Sequence, residues 1–270
     1  MKIILNSSEL KKELKNNHNL GFVPTMGSIH KGHESLILKC RKYCKKSIIS
    51  IFINPTQFDS KKDLKNYPKN IKKDLMILRK LKVDYVFIPK ISDVYETKRR
   101  KKIRLNKTDV ILCAKYRKGH FEGVLDIMDR LTKIIYPNKI FMGEKDYQQY
   151  YLVKKFLEYR YNTKVIKCNT VRSNNRIALS SRNLLLKKKS LLTASKVVKE
   201  LFKLKKLISR IKKVDQYLNY IKKNLVKKYG IKIEYLELRN IKNLKKSNSL
   251  KDSKIFISYF VNKVRLIDNL

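Results

Sequence analysis

The chain contains no run of apolar residues close to the roughly 18 that a membrane-spanning helix requires. Its composition therefore excludes an integral membrane protein built from helices. Cysteine is also scarce, because four residues in 270 are too few for the disulfide framework of a small secreted domain. Cys40 and Cys44 lie four residues apart on one predicted helix, without a second pair at metal-ligand spacing. We therefore expect reduced thiols, some of them with buried apolar roles.

Acidic residues are few as well. The chain has 22 Asp and Glu against 66 Lys and Arg, which gives a formal net charge of +44. Such a charge is compatible with nucleic-acid binding. The lysines, however, are scattered over every predicted helix, loop and exposed strand face, and only residues 98–107 form a dense basic run. We therefore expect a lysine-rich solvated surface without a specific nucleic-acid partner. A basic RNA-binding protein is the alternative from a different functional class.

Glycine is used sparingly, with seven residues in the whole chain. Glycine costs backbone entropy, so a chain that has little of it should place it where the backbone needs it. Gly27 and Gly32 fall in one predicted loop, Gly119 and Gly123 in a second, and Gly143 in a third. These three loops are the candidate site loops.

Short apolar runs alternate with amphipathic segments over the first 170 residues. This alternation predicts an α/β fold with a Rossmann-like, doubly wound parallel sheet. Ligands of such sheets bind beyond the carboxyl ends of the strands. Predicted strands cover residues 1–6, 20–23, 47–53, 83–88, 139–142 and 163–168. Helices are predicted at 6–17, 33–45 and 71–81, from the polar turn at 116–124 to about residue 135, and from the motif at 143–149 through residue 159.

The pattern changes beyond residue 169. Residues 171–183 are polar and lack a clear period, and helices are predicted at 187–212 and 214–229. Strands with a roughly alternating pattern follow at 231–238 and 254–261. The sequence thus predicts a smaller C-terminal α+β domain. We therefore divide the chain into residues 1–170 and residues 171–270.

A strand-to-helix turn contains two of the four histidines. Residues 20–23 form the strand, 24–33 the turn, and the helix follows directly. A helix N-terminus offers unpaired N–H groups and partial positive charge, so it can hold an anion. His30 and His33, three residues apart, can both reach one phosphate. His-x-Gly-His at this place is typical of class I nucleotidyltransferases. Two ordinary polar loop residues would be the better interpretation of an isolated motif, but the flanking strand, turn and helix favour the functional one.

Four motifs occur in family order and spacing. They are His-x-Gly-His, Ser-Ile-Phe-Ile-Asn-Pro-Thr-Gln-Phe, Gly-Glu-Lys-Asp-Tyr-Gln-Gln and Ala-Leu-Ser-Ser-Arg-Asn. Through them the chain resembles the pantothenate synthetase (pantoate–β-alanine ligase) family over essentially its full length. Tyr67-Pro68, Gly119-His120-Phe121 and residues 266–269 add to the likeness. The resemblance implies a ligase that forms pantoyl adenylate from ATP and (R)-pantoate, and then pantothenate and AMP with β-alanine.

The resemblance also implies roles for individual residues. His33, the second motif histidine, would be a proton donor, and His30, Lys145 and Arg182 would complete the catalytic set. Gln57 and Gln149 would bind pantoate, and Gln57 would also lie near β-alanine. Mg²⁺ is expected on the phosphates, without a metal site made by the protein. The implied ATP-binding residues are Met26, Gly27, Ser28, Ile29, His30, Lys31, Gly32, His33, Gly143, Glu144, Lys145, Asp146, Val171, Leu179, Ser180, Ser181 and Arg182.

Several positions depart from the family pattern. Asn175 and Arg176 replace the usual Asp-Gly, Lys118 replaces a common proline, and Lys69 a common arginine. Residues 96–108 match poorly. The enzyme-class alternative is another His-x-Gly-His adenylyltransferase that acts on a different acid. The resemblance further suggests a cytoplasmic homodimer. It also implies that residues 1–170 form a nucleotide- and pantoate-binding domain and residues 171–270 a lid domain.

Overall fold

A computed structural model describes residues 1–15, 18–58, 64–65, 67–95 and 103–270 of the chain. These residues form two compact units, 1–169 and 170–270. Residues 96–102, which include the first half of the predicted basic run, lie outside the described residues. The same holds for residues 16–17 of the first predicted helix.

Six parallel strands form the sheet of the first unit, in the order β1-β4-β3-β2-β5-β6. This sheet and the antiparallel sheet of the second unit confirm the predicted fold class. Each predicted apolar run contains one strand, although the ends differ by a few residues. The strands are β1 Lys2–Ile4, β2 Leu20–Thr25, β3 Lys46–Ile51, β4 Tyr85–Phe87, β5 Lys139–Gly143 and β6 Lys164–Cys168.

The second strand continues through a proline, whereas the sequence predicted an end at Val23. Thr25 accepts a hydrogen bond from Phe52 N–H on the β3 side. The backbone hydrogen-bonding groups of neighbouring strand residues point to opposite edges of the strand. Those of Pro24 therefore point to the β5 side. Pairing with β5 ends at Phe22. Because no ladder bond is needed from Pro24, its missing N–H costs nothing there.

Helices connect the strands of the first unit. Leu36, Ile37 and Cys40 form the inner face of the second helix and pack with Val23 and Ile49 of the sheet. This packing fixes the helix that carries the two motif histidines. The helices are α1 Ser7–Leu14, α2 Lys31–Tyr43, α3 Ile71–Lys80, α4 Ile91–Val94, α5 Leu112–Tyr116, α6 His120–Ile135 and α7 Tyr147–Arg160.

The direction of the chain crossovers changes between β2 and β5. From β2, the helix α2 leads to β3 on one side, whereas from β5 the helix α7 leads to β6 on the other side. Ligands of doubly wound sheets bind outside the carboxyl ends of strands at such a switch point. The loops after Thr25 and Gly143 leave the sheet there, so the topology brings two predicted site loops to one edge.

The second unit packs two helices on a three-stranded antiparallel sheet. Its core combines Val197 and Leu201 with Leu238, Ile257 and other apolar side chains. The third strand was not predicted as a strand, because residues 264–269 were interpreted only as a family motif. Asn262, at φ 54°, supplies the tight turn before it. The elements are α8 Lys188–Leu207, α9 Val214–Tyr229, β7 Lys232–Asn240, β8 Ser253–Val261 and β9 Val264–Asn269.

All four cysteines are buried thiols without a disulfide. Burial raises the pKa of Cys168 to about 11. Burial also raises the pKa of the Cys40 thiol, with a contribution from Cys44. These thiols are protonated at neutral pH and are therefore poor nucleophiles. None of the helices in the described part of the chain is both long and apolar enough to cross a membrane.

Candidate active site

The loop after β2 is held by a buried carboxylate from α3. Asp74, 2% exposed, accepts hydrogen bonds from the backbone N–H groups of Ser28 (2.8 Å) and Ile29 (2.7 Å). Gly27 adopts φ 80° and Ser28 φ 54°. A Cβ at Gly27 would lie 2.9 Å from Asp74 Oδ2, so a side chain there would meet both strain and a clash. Asp74 thus determines the shape of the loop that precedes the histidines.

The two histidine rings lie against each other at the start of α2. Their centroids are 4.1 Å apart with an interplanar angle of 30°. His30 is the N-cap, and its Nδ1 accepts a hydrogen bond from Gly32 N–H at 3.1 Å. With Nδ1 as acceptor, the neutral ring carries its proton on Nε2. Both side chains are partly exposed, so neither ring is packed away from solvent.

His33 differs from His30 in the surroundings of its Nδ1 atom. Its Nδ1 is buried and has no hydrogen-bond partner within the described chain. An orphaned acceptor costs less than an orphaned N–H donor, so the proton belongs on Nε2 here as well. The Nε2 edge of the ring is the one that a ligand can reach.

Burial and nearby positive charge keep both imidazoles neutral. Burial lowers the pKa of His30, and the ammonium of Lys145 lowers it further. Burial, reinforced by His30, lowers the pKa of His33 to about 3. At neutral pH the pair therefore presents N–H donors without carrying charge of its own. A bound polyanion would raise both pKa values by favouring the protonated rings.

The loop after β5 supplies charge to the same edge of the sheet. Lys145 Nζ lies 3.3 Å from Asp146 Oδ1, and its positive charge lowers the pKa of His30. Glu144 is mostly buried and forms an ion pair with Lys167 at 2.7 Å. Glu144 therefore anchors the loop, while Lys145 and Asp146 remain at the switch point.

The turn after β3 is organised by Asn54, which is 1% exposed. Its side-chain oxygen accepts from Thr56 N–H (3.3 Å) and from the Tyr95 hydroxyl (2.7 Å), and its amide donates to Gly123 O (3.2 Å). The half-buried Gln57 contacts Met26 through Nε2 and Sδ at 2.7 Å. The Gln57 turn and the β2 loop thus meet directly.

Helix α6 fixes the backbone of the same turn. His120 Nδ1 lies 2.6 Å from Gln57 O, and His120 Nε2 lies 2.7 Å from an amino group of Arg117. Since guanidinium can only donate, Nε2 accepts and Nδ1–H donates to Gln57 O. Gly123 allows the helix to come this close, because a Cβ there would meet Thr56 O at 2.4 Å.

The adjacent glutamines at the start of α7 have different surroundings. Gln148 is buried and bonds to Ala114 N–H (3.4 Å), Asp109 O (3.2 Å) and Ile111 O (2.8 Å). Gln149 is partly exposed and makes no hydrogen bond with the residues that the structure describes. The Gln148 amide therefore stabilises the fold, whereas the Gln149 amide is available to bind a ligand.

The remaining candidates lie in the second unit, on a hairpin and the turn after it. Leu179 N–H donates to Val171 O at 3.0 Å, and Arg172 pairs with Ala178. Arg172 also forms two hydrogen bonds with the buried Asp268, of 2.6 and 2.8 Å. This pair explains the motif at residues 266–269, since Asp268 anchors the hairpin.

The tip of this hairpin contains one of the departures from the family pattern. Arg176 adopts φ 64°, the left-handed conformation that glycine normally takes. Its N–H donates to Ser173 O at 2.8 Å. The turn is therefore retained with arginine in place of glycine, at a backbone cost of roughly 1–2 kcal/mol.

A short 3₁₀ turn, Ser181–Leu185, follows the hairpin. Ser180 occupies the N-cap position without a side-chain capping bond, and its hydroxyl donates to Asn183 Oδ1 at 2.9 Å. Ser181 is 8% exposed, whereas Arg182 is more accessible. Asn183 in turn donates to Ala178 O at 3.0 Å, so the hairpin and the turn are one hydrogen-bonded segment.

Comparison with known proteins identifies the family. The family model for pantoate-beta-alanine ligase matches residues 2–270. A pantothenate synthetase of Endomicrobium trichonymphae is 37% identical over 283 aligned positions, covering 100% of this chain and 97% of that protein. The chain belongs to the pantoate-beta-alanine ligase family.

Solved structures of the family resemble this chain over nearly its whole length. The crystal structure of pantothenate synthetase from Thermus thermophilus has a TM-score of 0.92 and 27% identity, and the match covers 100% of this chain and 99% of that one. The pantoate-beta-alanine ligase of Francisella tularensis, crystallised with beta-gamma ATP and beta-alanine, has a TM-score of 0.83 and 34% identity, covering 100% and 97%.

The first unit brings several of the family-derived candidates to one edge of the sheet. His30, His33 and Lys145 share the switch point, and Gln57 touches the Met26 loop. The sequence analysis assigned no catalytic or ligand-binding role to Asp74 or His120, although these two side chains position the loops. The buried acid in a helix and the Gly-His-Phe motif were the only signals for them.

Proposed function

We propose that this chain condenses (R)-pantoate with β-alanine to pantothenate, at the expense of ATP. A pantoate carboxylate oxygen attacks the α-phosphorus of ATP, and the bond to the β-phosphate oxygen breaks to release pyrophosphate. The amine of β-alanine then attacks the acyl carbon of pantoyl adenylate, loses a proton and displaces AMP. The observation that carries this proposal is the neutral histidine pair at the N-terminus of α2 beside Lys145, in a chain of this family.

We assign phosphate binding to three kinds of group. His30 and His33 would donate from Nε2 to the triphosphate, together with the N–H groups of the α2 N-terminus. Lys145 would neutralise developing charge, and Asp146 would accept from the ribose. Such donors stabilise charge that grows in the transition state, which is the main task in phosphoryl chemistry. The other ATP contacts would come from residues 26–32 and 143–144.

We retain His33 as a proton donor only in the nucleotide complex. With a pKa of about 3, its ring is neutral at pH 7 and can give a hydrogen bond but no acidic proton. The negative charge of a triphosphate raises a histidine pKa. Protonation of His33 would therefore accompany substrate binding.

We assign pantoate to two glutamines. Gln149 has an amide that is not used by the described chain, and Gln57 has its backbone held by His120. Each amide offers two donors and an acceptor, which suits a hydroxyl-bearing acid. Gln57 would also lie near β-alanine.

We further propose that the predicted C-terminal domain, residues 171–270, acts as a lid. Val171 and Leu179 would contact the adenine, and Ser180, Ser181 and Arg182 would bind the pyrophosphate portion. Hydroxyls and a planar guanidinium fork suit phosphate oxygens. We also propose a homodimer in the cytoplasm, by resemblance to the family, and sedimentation velocity of the purified chain tests the dimer.

Magnesium would enter as part of the Mg·ATP substrate. The described residues contain no group of three or more His, Cys, Asp or Glu that could hold a metal ion. Asp146, a carboxylate that acts on the histidine pair, is itself paired with the ammonium of Lys145 at 3.3 Å, so it is a poor ligand for a cation. A resident metal site therefore does not fit these residues, and the ion would remain on the phosphates.

AMP formation by the purified chain tests the function. We expect AMP release only when ATP, pantoate and β-alanine are all present. Replacing pantoate by other short hydroxy acids distinguishes the alternative, an adenylyltransferase for a different acid. Turnover that ignores pantoate would overturn the proposal, while a family match over residues 2–270 argues against that outcome.

A further inference from the structure

A basic pocket lies in the second unit, between the hairpin tip and the outer face of α8. Its volume is about 470 Å³, within the range of small-molecule sites. Arg176 and the two asparagines before it line one side. Lys199, Phe202, Lys203 and Lys206 line the other. None of these residues has a role in the proposed reaction.

The lysines of α8 are arranged around the aromatic ring. Lys199, Phe202, Lys203 and Lys206 occupy positions i, i+3, i+4 and i+7, so they share one helix face. The three lysines are exposed and Phe202 is half-buried. Like charges at this spacing repel one another. An anion bound between them would remove that repulsion.

Arg176 completes the cluster from the opposite wall. Its guanidinium carbon lies 5.3 Å from the centre of the Phe202 ring. No carboxylate is found among the lining residues of the described chain. The acid beside them, Glu200, binds Lys228 at 3.1 Å and lies 3.6 Å from Lys203. Four cationic side chains therefore face one cavity with only partial compensation.

We propose that this pocket is a second anion site, which binds the polyphosphate group of a small molecule. Arginine supplies a planar fork for phosphate oxygens, lysines supply mobile point charges, and asparagine amides add donors. An RNA strand prefers an extended groove with several stacking aromatics. The pocket is half open to solvent and contains a single aromatic ring, which favours a compact polyanion instead.

Occupancy of the pocket would act on the catalytic segment, a consequence that depends on the proposed function. Arg176 belongs to the hairpin that carries Val171 and continues into Leu179 and Ser180. A polyphosphate that holds Arg176 would order this segment. The apparent KM for ATP would then depend on whether the pocket is occupied.

Calorimetric titration of the full chain with sodium tripolyphosphate tests the site, at a salt concentration of about 150 mM. The pocket variant is Lys199→Gln/Lys206→Gln. Its matched control is Lys196→Gln/Lys205→Gln, two exposed lysines of the same helix that lie outside the pocket. A third variant, His30→Ala/His33→Ala, removes the proposed catalytic phosphate site.

We expect two sites in the wild type and in the control. The pocket variant should weaken one site at least about tenfold and leave the other, and the histidine variant should do the reverse. Equal losses in the pocket variant and its control would overturn the proposal, as would a single site that only the histidine variant removes. If the pocket variant weakens one of two sites and the histidine variant weakens neither, the result would support the pocket and count against the proposed function.

Further titrants distinguish the sources of the polyphosphate. ATP that binds the pocket as tightly as tripolyphosphate indicates recognition of the phosphates alone. Tighter ATP binding that Phe202→Leu abolishes indicates that the base stacks on the ring, and both results support the site. A short RNA that displaces tripolyphosphate from the pocket at the same salt, and binds more tightly, would show a nucleic-acid surface and contradict the proposal.

Discussion

Two neighbouring glutamines show how one residue type serves the fold or the ligand. Gln149→Ala should raise the KM for pantoate roughly 10- to 100-fold and leave the melting temperature unchanged, because its amide has no partner in the described chain. Steady-state kinetics and thermal melting check this.

Gln148→Ala is the matched control. It removes three hydrogen bonds to backbone groups of residues 109, 111 and 114 and should lower the free energy of unfolding by about 2–4 kcal/mol. An unchanged KM in Gln149→Ala would remove the pantoate assignment. Equal destabilisation by both changes would contradict the description of their surroundings.

His33 gives stability a specific dependence on pH. Its pKa is about 3 in the folded protein, against an ordinary value of 6.5, so between these values the unfolded chain binds a proton that the folded chain does not. The contribution of His33 to the free energy of unfolding is therefore fully present above pH 6.5, and it is lost progressively as the pH falls toward 3. At pH 5 this loss is up to roughly 2 kcal/mol, and less where water reaches the ring.

Urea unfolding at several pH values measures this contribution. His33→Gln should lose less stability than the wild type between about pH 7.5 and about pH 5, by about that amount. His18→Gln replaces an exposed histidine and should follow the wild type. Parallel curves for all three proteins would show that His33 titrates normally.

Close approach between α6 and the Gln57 turn depends on one glycine. Gly123→Ala places a methyl group against Thr56 O at 2.4 Å, and this backbone atom cannot move aside. We expect a loss of about 1–3 kcal/mol in the free energy of unfolding, together with lower turnover, because the turn that carries Gln57 shifts.

Gly143→Ala is the control for this change. A Cβ there meets nothing within 4 Å, and its φ of −75° suits any residue. Its stability should stay within about 0.5 kcal/mol of the wild type. Chemical denaturation compares the two variants. If Gly123→Ala were as stable as Gly143→Ala, helix α6 would not be packed on this turn.

The elements of the fold were largely predictable from local patterns. Continuous apolar runs marked the six parallel strands because both faces of such a sheet are buried. Strand β9 was missed, since its pattern of Val264, Leu266 and Asp268 on one face is broken by the buried ion pair of Asp268 with Arg172. A buried charge satisfied by a distant partner gives no local signal.

The site was predictable where residues act on a ligand through a short motif, and less so where they act through other residues. His30 and His33 stand in one turn, so their pairing follows from spacing. Asp74 reaches Ser28 across 46 positions, and His120 reaches Gln57 across 63. Sequence alone could not supply these contacts, because the parallel sheet creates them.

At the scale of the whole molecule, the positive charge is a cost to the folded state. A formal net charge of +44 repels itself more in a compact chain than in an unfolded one. Raising KCl from about 20 to about 300 mM shortens the screening length and should raise the melting temperature. Each kcal/mol of screened repulsion corresponds to roughly 2–4 °C.

Scanning calorimetry at the two salt concentrations measures this effect. Choline chloride at equal ionic strength is the control, because it excludes specific binding of potassium. A melting temperature that is constant or falls with salt would show that local ion pairs dominate over the net charge.

The central claim is that the histidine pair at the β2–α2 turn holds ATP while pantoate attacks it. Pantoate-dependent exchange of labelled pyrophosphate into ATP, without β-alanine, isolates that step. We predict exchange in the wild type and in His18→Ala, and a loss of about a hundredfold or more in His33→Ala with the fold intact. Exchange without pantoate, or undiminished exchange in His33→Ala, would contradict the account.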